Sequence, residues 1–439
     1  MRANSICLGI ILCLLYVPAS ATLFTTGSVF EFAGADGSRT LLTNGTADSQ
    51  VIVAAGGSGR LIVDSESAGN GINDIDIGAT LRIGDGLPSA SGLVSVRGNG
   101  VVDGATLVAR GIDVGDRNTA ARGELNVLDG GRITSTAGVF VQDQSSITAR
   151  GENARLDVQN FGGISVAAGS AGAMSIEELA EVTTEGTVSV GSFFDPSNGV
   201  ISVTGAGRLS TPSLNVGPGG KLVIDGERNG ANERDSEVVA DRVTVGRFFA
   251  SATNQQTSEL TISNLGRLTT TQLIVGDGGS VTGGGGRVIG DVLLQGGTLS
   301  PGNSPGTLAI EGNAFLTRGL VTLEWDAPTA FDILSVDGTL NIGSEVIFDL
   351  VFSSSPTDVI DLSDFLSATE IVLSGFDFGS QVNVSFAQGV DQRVEISFFG
   401  NVYRFGTVSV SEPPSTILFL IALCAAVLSS RRRFCMRGR

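Results

Sequence analysis

The chain contains no histidine, one lysine, one tryptophan and two tyrosines among its 439 residues. Without histidine there is no Ser-His or Cys-His nucleophilic system and no imidazole to hold zinc or iron. All four cysteines fall in the two apolar terminal segments, Cys7 and Cys13 in the first and Cys424 and Cys435 in the last. Residues 22–410 therefore carry no thiol, no disulfide and no cysteine metal site. Basic residues are scarce as well: over 22–410 there are 21 against 44 acidic ones, a net charge of −23, compared with −18 for the whole chain. Such a surface repels nucleic acid and anionic lipid, and it favours solubility outside the cell. The one lysine, Lys221, follows Gly219-Gly220 without the Gly-x-x-x-x-Gly-Lys-Ser/Thr spacing, so the glycines form no phosphate cradle. With only Trp325 and two tyrosines among the larger aromatics, a conventional globular core is not expected.

Both ends of the chain read as export signals. Arg2 precedes an apolar run from Ile6 to Val17, and Ala19-Ser20-Ala21 supplies the small residues that signal peptidase reads. Residues 1–21 are thus expected to be a signal peptide, with Ala19 and Ala21 at the cleavage site and the mature chain starting at Thr22. Neither Cys7 nor Cys13 is placed for a lipoprotein signal. At the other end, Ser411-Glu412-Pro413-Pro414-Ser415-Thr416 leads into apolar residues 417–428 and then Arg431-Arg432-Arg433, with Arg437 and Arg439 behind. Prolines stop the preceding fold, and the arginines hold the cytoplasmic side of a membrane. As a helix, twelve residues cover about 18 Å, short of the ~30 Å hydrocarbon core, which favours a transient segment over a permanent anchor.

This tail, residues 411–439, resembles the PEP-CTERM sorting signal of Gram-negative bacteria. Glu412 and Pro413 match its Pro-Glu-Pro motif, Ser411 stands where the first proline is expected, and Arg431, Arg432 and Arg433 form the basic end. The resemblance implies processing by an exosortase-type membrane enzyme, transient anchoring through 417–428 and delivery to the cell surface.

Between the signals, short alternating runs such as Leu93-Val94-Ser95-Val96 and Leu125-Asn126-Val127 recur, punctuated every ~10 residues by Gly, Asn and Asp. The pattern is all-β. Met174 to Ala180 is the one stretch with helical character, and it reads as a loop or single turn. Three segments share a template: Gly131-Arg132-Ile133-Thr134-Ser135, Gly207-Arg208-Leu209-Ser210-Thr211 and Gly266-Arg267-Leu268-Thr269-Thr270. A second marker ends in Val-Gly, at Val114-Gly115, Val190-Gly191 and Val245-Gly246. The template repeats after 76 and then 59 residues, as if the longer period carried a side loop around Met174. Short strands with glycine corners and tolerated insertions suit a parallel β-helix over 22–307, roughly a dozen coils at ~4.8 Å each. These repeats resemble those of autotransporter passenger domains and PEP-CTERM proteins. The resemblance is sharpest over Gly296 to Leu308, where Pro301-Gly302-Asn303-Ser304-Pro305-Gly306 reads as a turn out of the stack. After it, strands lengthen and phenylalanine concentrates, so 308–410 is expected to be a separate β cap or small sandwich.

Two acidic runs, Asp74-Ile75-Asp76 and Asp361-Leu362-Ser363-Asp364, carry hard oxygens that suit calcium, but neither has EF-hand spacing. No other cofactor is indicated and no catalytic residue is singled out. The expected function is a secreted or surface-attached structural or adhesive protein of the bacterial envelope or exopolysaccharide matrix, with signal peptidase, the sorting enzyme and extracellular polysaccharide as partners and no nucleic acid. The rival is an extracellular β-helix polysaccharide lyase or glycoside hydrolase using paired carboxylates. A self-translocating autotransporter is disfavoured, because the C-terminus lacks the ~10-residue alternating strands of a membrane barrel.

Overall fold

The computed structural model of the protein describes residues 45–47, 51–53, 58–64, 74–84, 91–98, 104–116, 121–167, 171–191, 198–229, 232–247, 256–302, 305–354, 356, 359–386, 393–399 and 401–406. Most of these residues are strand, and nearly every strand pairs in parallel with the strand one coil away. The chain winds as a three-faced parallel β-helix. One register line on the first face shows how regular the stack is. It runs Leu61, Val94, Leu125, Ile147, Met174, Ile201, Leu222, Leu260, Val281, Leu299, Val321, Phe348 and Val382, each aligned with the next. All thirteen side chains are buried. At ~4.8 Å per step, the ladder extends on the order of 60 Å.

A second face carries Ile75, Leu107, Ile133, Leu156, Val182, Leu209 and Val238 in the same manner, and a third carries Val53, Ile83, Val114, Val141, Val166, Val190 and Val216. Alternation with a period of two sends these side chains inward and their neighbours outward. Three inward stripes meeting in a narrow interior have room for Val, Ile and Leu, which is why this part of the chain needs no aromatic core. Each fully buried aliphatic side chain contributes roughly 1.5–3 kcal/mol.

The sequence markers fall at the corners. Gly131, Gly207 and Gly266 turn the chain from the first face to the second, and a Cβ there would lie 2.3, 2.3 and 2.2 Å from the carbonyl oxygens of Val96, Ile176 and Ile224 in the preceding coil. The arginine that follows opens the second face. The Val-Gly marker closes the third face, with Gly115, Gly191 and Gly246 at φ of 86°, 80° and 92°. Where the second face meets the third, buried hydroxyls bind the backbone that no strand pairs. Thr184 Oγ1 donates to Gly162 O at 2.5 Å and accepts from Gly186 N at 3.1 Å, and Ser135, Thr211 and Thr270 occupy equivalent corners.

Three expectations change. The periods of 76 and 59 residues are not one repeat with an insertion but three coils and two coils, since Arg132, Arg155, Glu181, Arg208, Glu237 and Arg267 follow one another in register. Met174 is not in a side loop. It lies in the strand Gly172–Glu177, with its side chain 1% exposed. The strands after Leu308, expected to form a separate module, carry the stack on through Phe386: Ile310 aligns with Val336 and Val336 with Ala368, while Trp325 aligns with Phe352 and Phe352 with Phe386. Phenylalanine becomes frequent because an aromatic ladder replaces an aliphatic one, with ring centroids 5.6 Å apart for Trp325–Phe352 and 5.5 Å for Phe352–Phe386. Strands lengthen because Gly286–Ser300, Ala314–Ala327 and Ile333–Phe352 keep pairing around their corners, with register shifts absorbing the bend. Among the described residues, a small separate sheet lies off the stack at this end: the hairpin Arg393–Phe398 with Asn401–Gly406, joined by Ile360–Asp361. Phe398 packs against Phe376 and Phe378, and Phe378 stacks on Tyr403 at 4.0 Å, so the hairpin covers the end of the apolar interior.

Candidate functional site

The sorting residues Glu412, Pro413, Arg431, Arg432 and Arg433, and the cleavage residues Ala19 and Ala21, lie outside the described residues. No helix among the described residues is long and apolar enough to cross a membrane.

Along the stack, cations and carboxylates pair from coil to coil. Arg155 lies 3.0 Å from Glu181, Lys221 lies 3.1 Å from Glu259, and Glu237 sits between Arg208 at 3.6 Å and Arg267 at 2.8 Å. Each such surface pair contributes at most about 1 kcal/mol, yet together they neutralise most of the basic side chains locally. From Gly319 to Gln392 this pattern ends: the segment has twelve Asp and Glu and no Lys, Arg or His.

Of the acidic runs, Asp74 and Asp76 lie in the strand Asp74–Ile83, with Asp76 exposed. Asp361 caps the short 3-10 turn Leu362–Asp364, accepting from Ser363 N at 3.0 Å and Ser363 Oγ at 2.6 Å. Burial pushes its carboxyl up, but the hydrogen bonds from Ser363 and Ser397 outweigh this and hold it below the usual carboxylate range. No group of three or more acidic, Cys or His side chains among the described residues is arranged to hold a metal ion.

Asp332, the first residue of an Asp-x-Leu-x-Val-x-Gly run ending at Gly338, anchors Gly306 at the end of the Pro-Gly-Asn-Ser-Pro-Gly segment. Its side chain is fully buried; Oδ1 accepts from Gly306 N at 2.9 Å and Oδ2 from Glu324 N at 2.9 Å. A Cβ on Gly302 would lie 2.1 Å from Oδ1, so the turn closes over the carboxylate. The strands that flank it, Gly286–Ser300 and Thr307–Glu311, pair in parallel within the stack. Burial raises the Asp332 carboxyl pKa, against the lowering effect of the two backbone donors. A group whose pKa is raised on folding favours the native state below that pKa and costs stability as pH climbs through it. Hydrogen exchange at the Gly306 and Glu324 amides is therefore expected to slow, after correction for intrinsic rates, as the pH falls from neutral towards 4. In Asp332→Asn this pH response is lost; parallel profiles for the two proteins would contradict the assignment.

Beside this turn is a cleft of about 130 Å³. Trp325 and Phe331 face each other across a tight hairpin, Phe365 packs on Phe331 at 5.2 Å, and Val359 and Ile360 close one side. The polar group on its wall is Asp364, whose exposed carboxylate makes no hydrogen bond or ion pair among the described residues. The sequence held two clues to this place: its only tryptophan and the long segment without a basic residue.

No family model matches the chain, and no curated protein matches it. A solved structure described as the crystal structure of the TibC-catalyzed hyper-glycosylated TibA55-350 fragment aligns over 78% of this chain and 100% of that chain, at 13% identity and a TM-score of 0.35.

Proposed function

We propose that the chain is a secreted or surface-attached structural and adhesive protein of a bacterial envelope or exopolysaccharide matrix. In this reading residues 1–21 direct export, and the PEP-CTERM-like tail at 411–439 holds the chain in the membrane until an exosortase-type enzyme processes it. The rod itself does no chemistry. The observation that supports this reading is the uninterrupted coil stack with its cations tied up in coil-to-coil ion pairs, which builds length and a regular outer surface. Asp332, the most buried carboxylate among the described residues, has both oxygens engaged by backbone amides and no access to a substrate. That is the environment of a structural clamp, unlike the open carboxylate pair of a glycosidase.

The test uses protein recovered from the surface of the producing cell. Its mass is expected to lack Arg431 to Arg439, and it is expected to cosediment with at least one of a panel of acidic, neutral and amino-bearing polysaccharides without cutting any. Release of reducing ends or unsaturated products would establish the lyase or hydrolase reading instead.

A further inference from the structure

We propose that the corner between the second and third faces at Arg110, Phe140 and Phe161 binds an acidic polysaccharide, its sugar rings against the two phenylalanines and a uronate carboxylate on Arg110. The inference rests on the matrix-protein reading and adds the chemical class of the polymer. Three successive coils share this corner. Thr136 N donates to Ala109 O in the coil below at 2.9 Å, and Asn160 Nδ2 in the coil above donates to Thr136 O at 3.2 Å, so Arg110, Thr136 and Phe161 follow one another along the rod. At ~4.8 Å per coil, Arg110 and Phe161 lie about 10 Å apart, the scale of a short oligosaccharide. Phe161 is 88% exposed, and Phe140, on the outer side of the third face, is 44% exposed. Phe161 also holds a φ of 60°, where a bulky side chain is strained, and its exposure means that no burial offsets this. The Phe140 ring leans toward the corner: a Cβ on Gly138 would lie 3.3 Å from its Cε2. Gly111, Gly138 and Gly163 stand one above another beside it, since a Cβ on Gly111 would lie 3.7 Å from Gly138 O and one on Gly138 would lie 3.4 Å from Gly163 O. The rings therefore border bare backbone, which lets a sugar approach with its C–H face on the aromatics.

The charge beside the rings sets the sign of the ligand. Along much of the rod, arginine faces a carboxylate of an adjacent coil, as Arg155 faces Glu181 and Arg287 faces Glu311. Arg110 is exposed and has no side-chain hydrogen bond or ion pair among the described residues, and neither does Arg132, which opens the next strand of the same face. Carboxylates around the corner are engaged: Asp113 lies 3.5 Å from Arg82, and Glu185 accepts from Asn160 N at 2.8 Å. The net charge of −23 over 22–410 opposes an anionic polymer at long range, but exposed charges more than ~8 Å apart are largely screened at physiological ionic strength. The guanidinium then decides locally, and its planar fork takes a carboxylate through two N–H donors. A uronate satisfies the arginine and the rings together. A neutral sugar leaves Arg110 unpaired, and a simple anion leaves both phenylalanines uncovered.

Binding to the intact protein is measured by isothermal titration calorimetry at physiological ionic strength, with oligomers of galacturonate and of mannuronate, with the neutral galactose and mannose oligomers of the same length, and with dextran sulfate. At least one uronate oligomer is expected to bind saturably, and the neutral oligomers and dextran sulfate are expected to show no binding over the same range. Arg110→Gln is expected to weaken uronate binding about tenfold, as for loss of a charge-assisted hydrogen bond. Phe161→Asn is expected to weaken it about fivefold, as for loss of an aromatic contact, and Phe161→Tyr is expected to retain it. Asparagine tolerates a positive φ and Arg110 is an exposed side chain without a partner among the described residues, so both weakened variants keep the fold. Equal binding of a neutral oligomer, or unchanged binding in Arg110→Gln, overturns the carboxylate–arginine assignment. Unchanged binding in Phe161→Asn overturns the aromatic platform, and equal binding of dextran sulfate reduces the corner to a plain anion patch and overturns the inference too. Absence of uronate binding while another polysaccharide is retained defeats this inference alone and leaves the proposed function standing, whereas cleavage of an added glycan would defeat the proposed function itself.

Discussion

Replacing Gly162 by alanine is expected to destabilise the protein by about 3 kcal/mol or more, at the upper end of overpacking costs, while the same change at Gly111 is expected to be neutral or stabilising by about 0.5 kcal/mol. Both glycines belong to the coil stack, and sequence alone does not distinguish them. A Cβ on Gly162 would sit 1.0 Å from Ala137 O in the preceding coil, which no rotamer change relieves because both atoms are backbone. The turn cannot slide away. Asn160 Nδ2 donates to Thr136 O at 3.2 Å below it, Asn160 N donates to Glu185 Oε2 at 2.8 Å above, and Thr184 Oγ1 holds Gly162 O at 2.5 Å. Asn160 and Phe161 already adopt positive φ of 54° and 60°, so the loop spends backbone strain to make this approach. At Gly111 the nearest atom to an added Cβ is Thr80 Oγ1 at 3.6 Å, ordinary contact in the middle of a strand. The measurement is chemical denaturation of the two variants beside the parent, with limited proteolysis to locate any opening. Equal effects at the two positions would mean that the coils do not approach as closely as the structure places them.

That contrast marks the boundary of what sequence carries. The inward stripes are legible because a half-buried strand alternates with a period of two, so Leu125-Asn126-Val127 announces its own face. The Gly-Arg and Val-Gly markers are legible because they recur, and both fall at corners of the stack. What they do not carry is the coil count between recurrences. Strands Arg155–Val158 and Glu181–Thr184 occupy the same face as Arg132–Ser135 but open without the glycine, so two coils pass unmarked and the period appears as 76 residues. The segment after Leu308 misleads for a different reason. Larger residues in longer strands are the usual sign of a new module, but here the same topology is filled by Trp325, Phe348 and Phe352. Register is a long-range property, set by which coil lies above and below, and it leaves no local trace when only side-chain size changes.

The candidate cleft was less legible still. Its walls come from residues 325–331 and 359–365, brought together by two corners of successive coils. The acidic run at Asp361 to Asp364 was visible, but its two ends do different work: Asp361 turns inward to cap the 3-10 turn, while Asp364 faces the cleft. Spacing cannot separate a capping aspartate from an exposed, cleft-lining one three residues later. The partners of Asp332 are hidden for a related reason, since Gly306 and Glu324 lie 26 and 8 residues before it in sequence and meet it only when the coils stack.

Met174→Asp is expected to abolish folding of the central coils, with a cost above about 4 kcal/mol, whereas Met174→Leu is expected to change stability by less than about 1.5 kcal/mol. If Met174 and its neighbours formed a side loop, as the 76-residue period suggests, an aspartate at 174 would be harmless. In the stack, Met174 lies between Ile147 below and Ile201 above, 1% exposed, in a ladder where neighbouring side chains on both flanks are aliphatic. An ionised carboxylate there has no cation and no free backbone donor, because Ala173 to Ile176 are aligned with strands on both sides. The chain can respond by protonating the aspartate or by opening the coil, and either costs several kcal/mol at neutral pH. Because each coil contacts only its neighbours, the damage should begin locally and then split the rod. Limited proteolysis of the variant is expected to cut between about residues 150 and 200 and to leave a protected C-terminal fragment, as the aromatic ladder from Trp325 onward does not depend on that coil. Wild-type resistance in Met174→Asp would show that the first face does not run through Gly172–Glu177, and the single thirteen-rung stack would have to be redrawn as two.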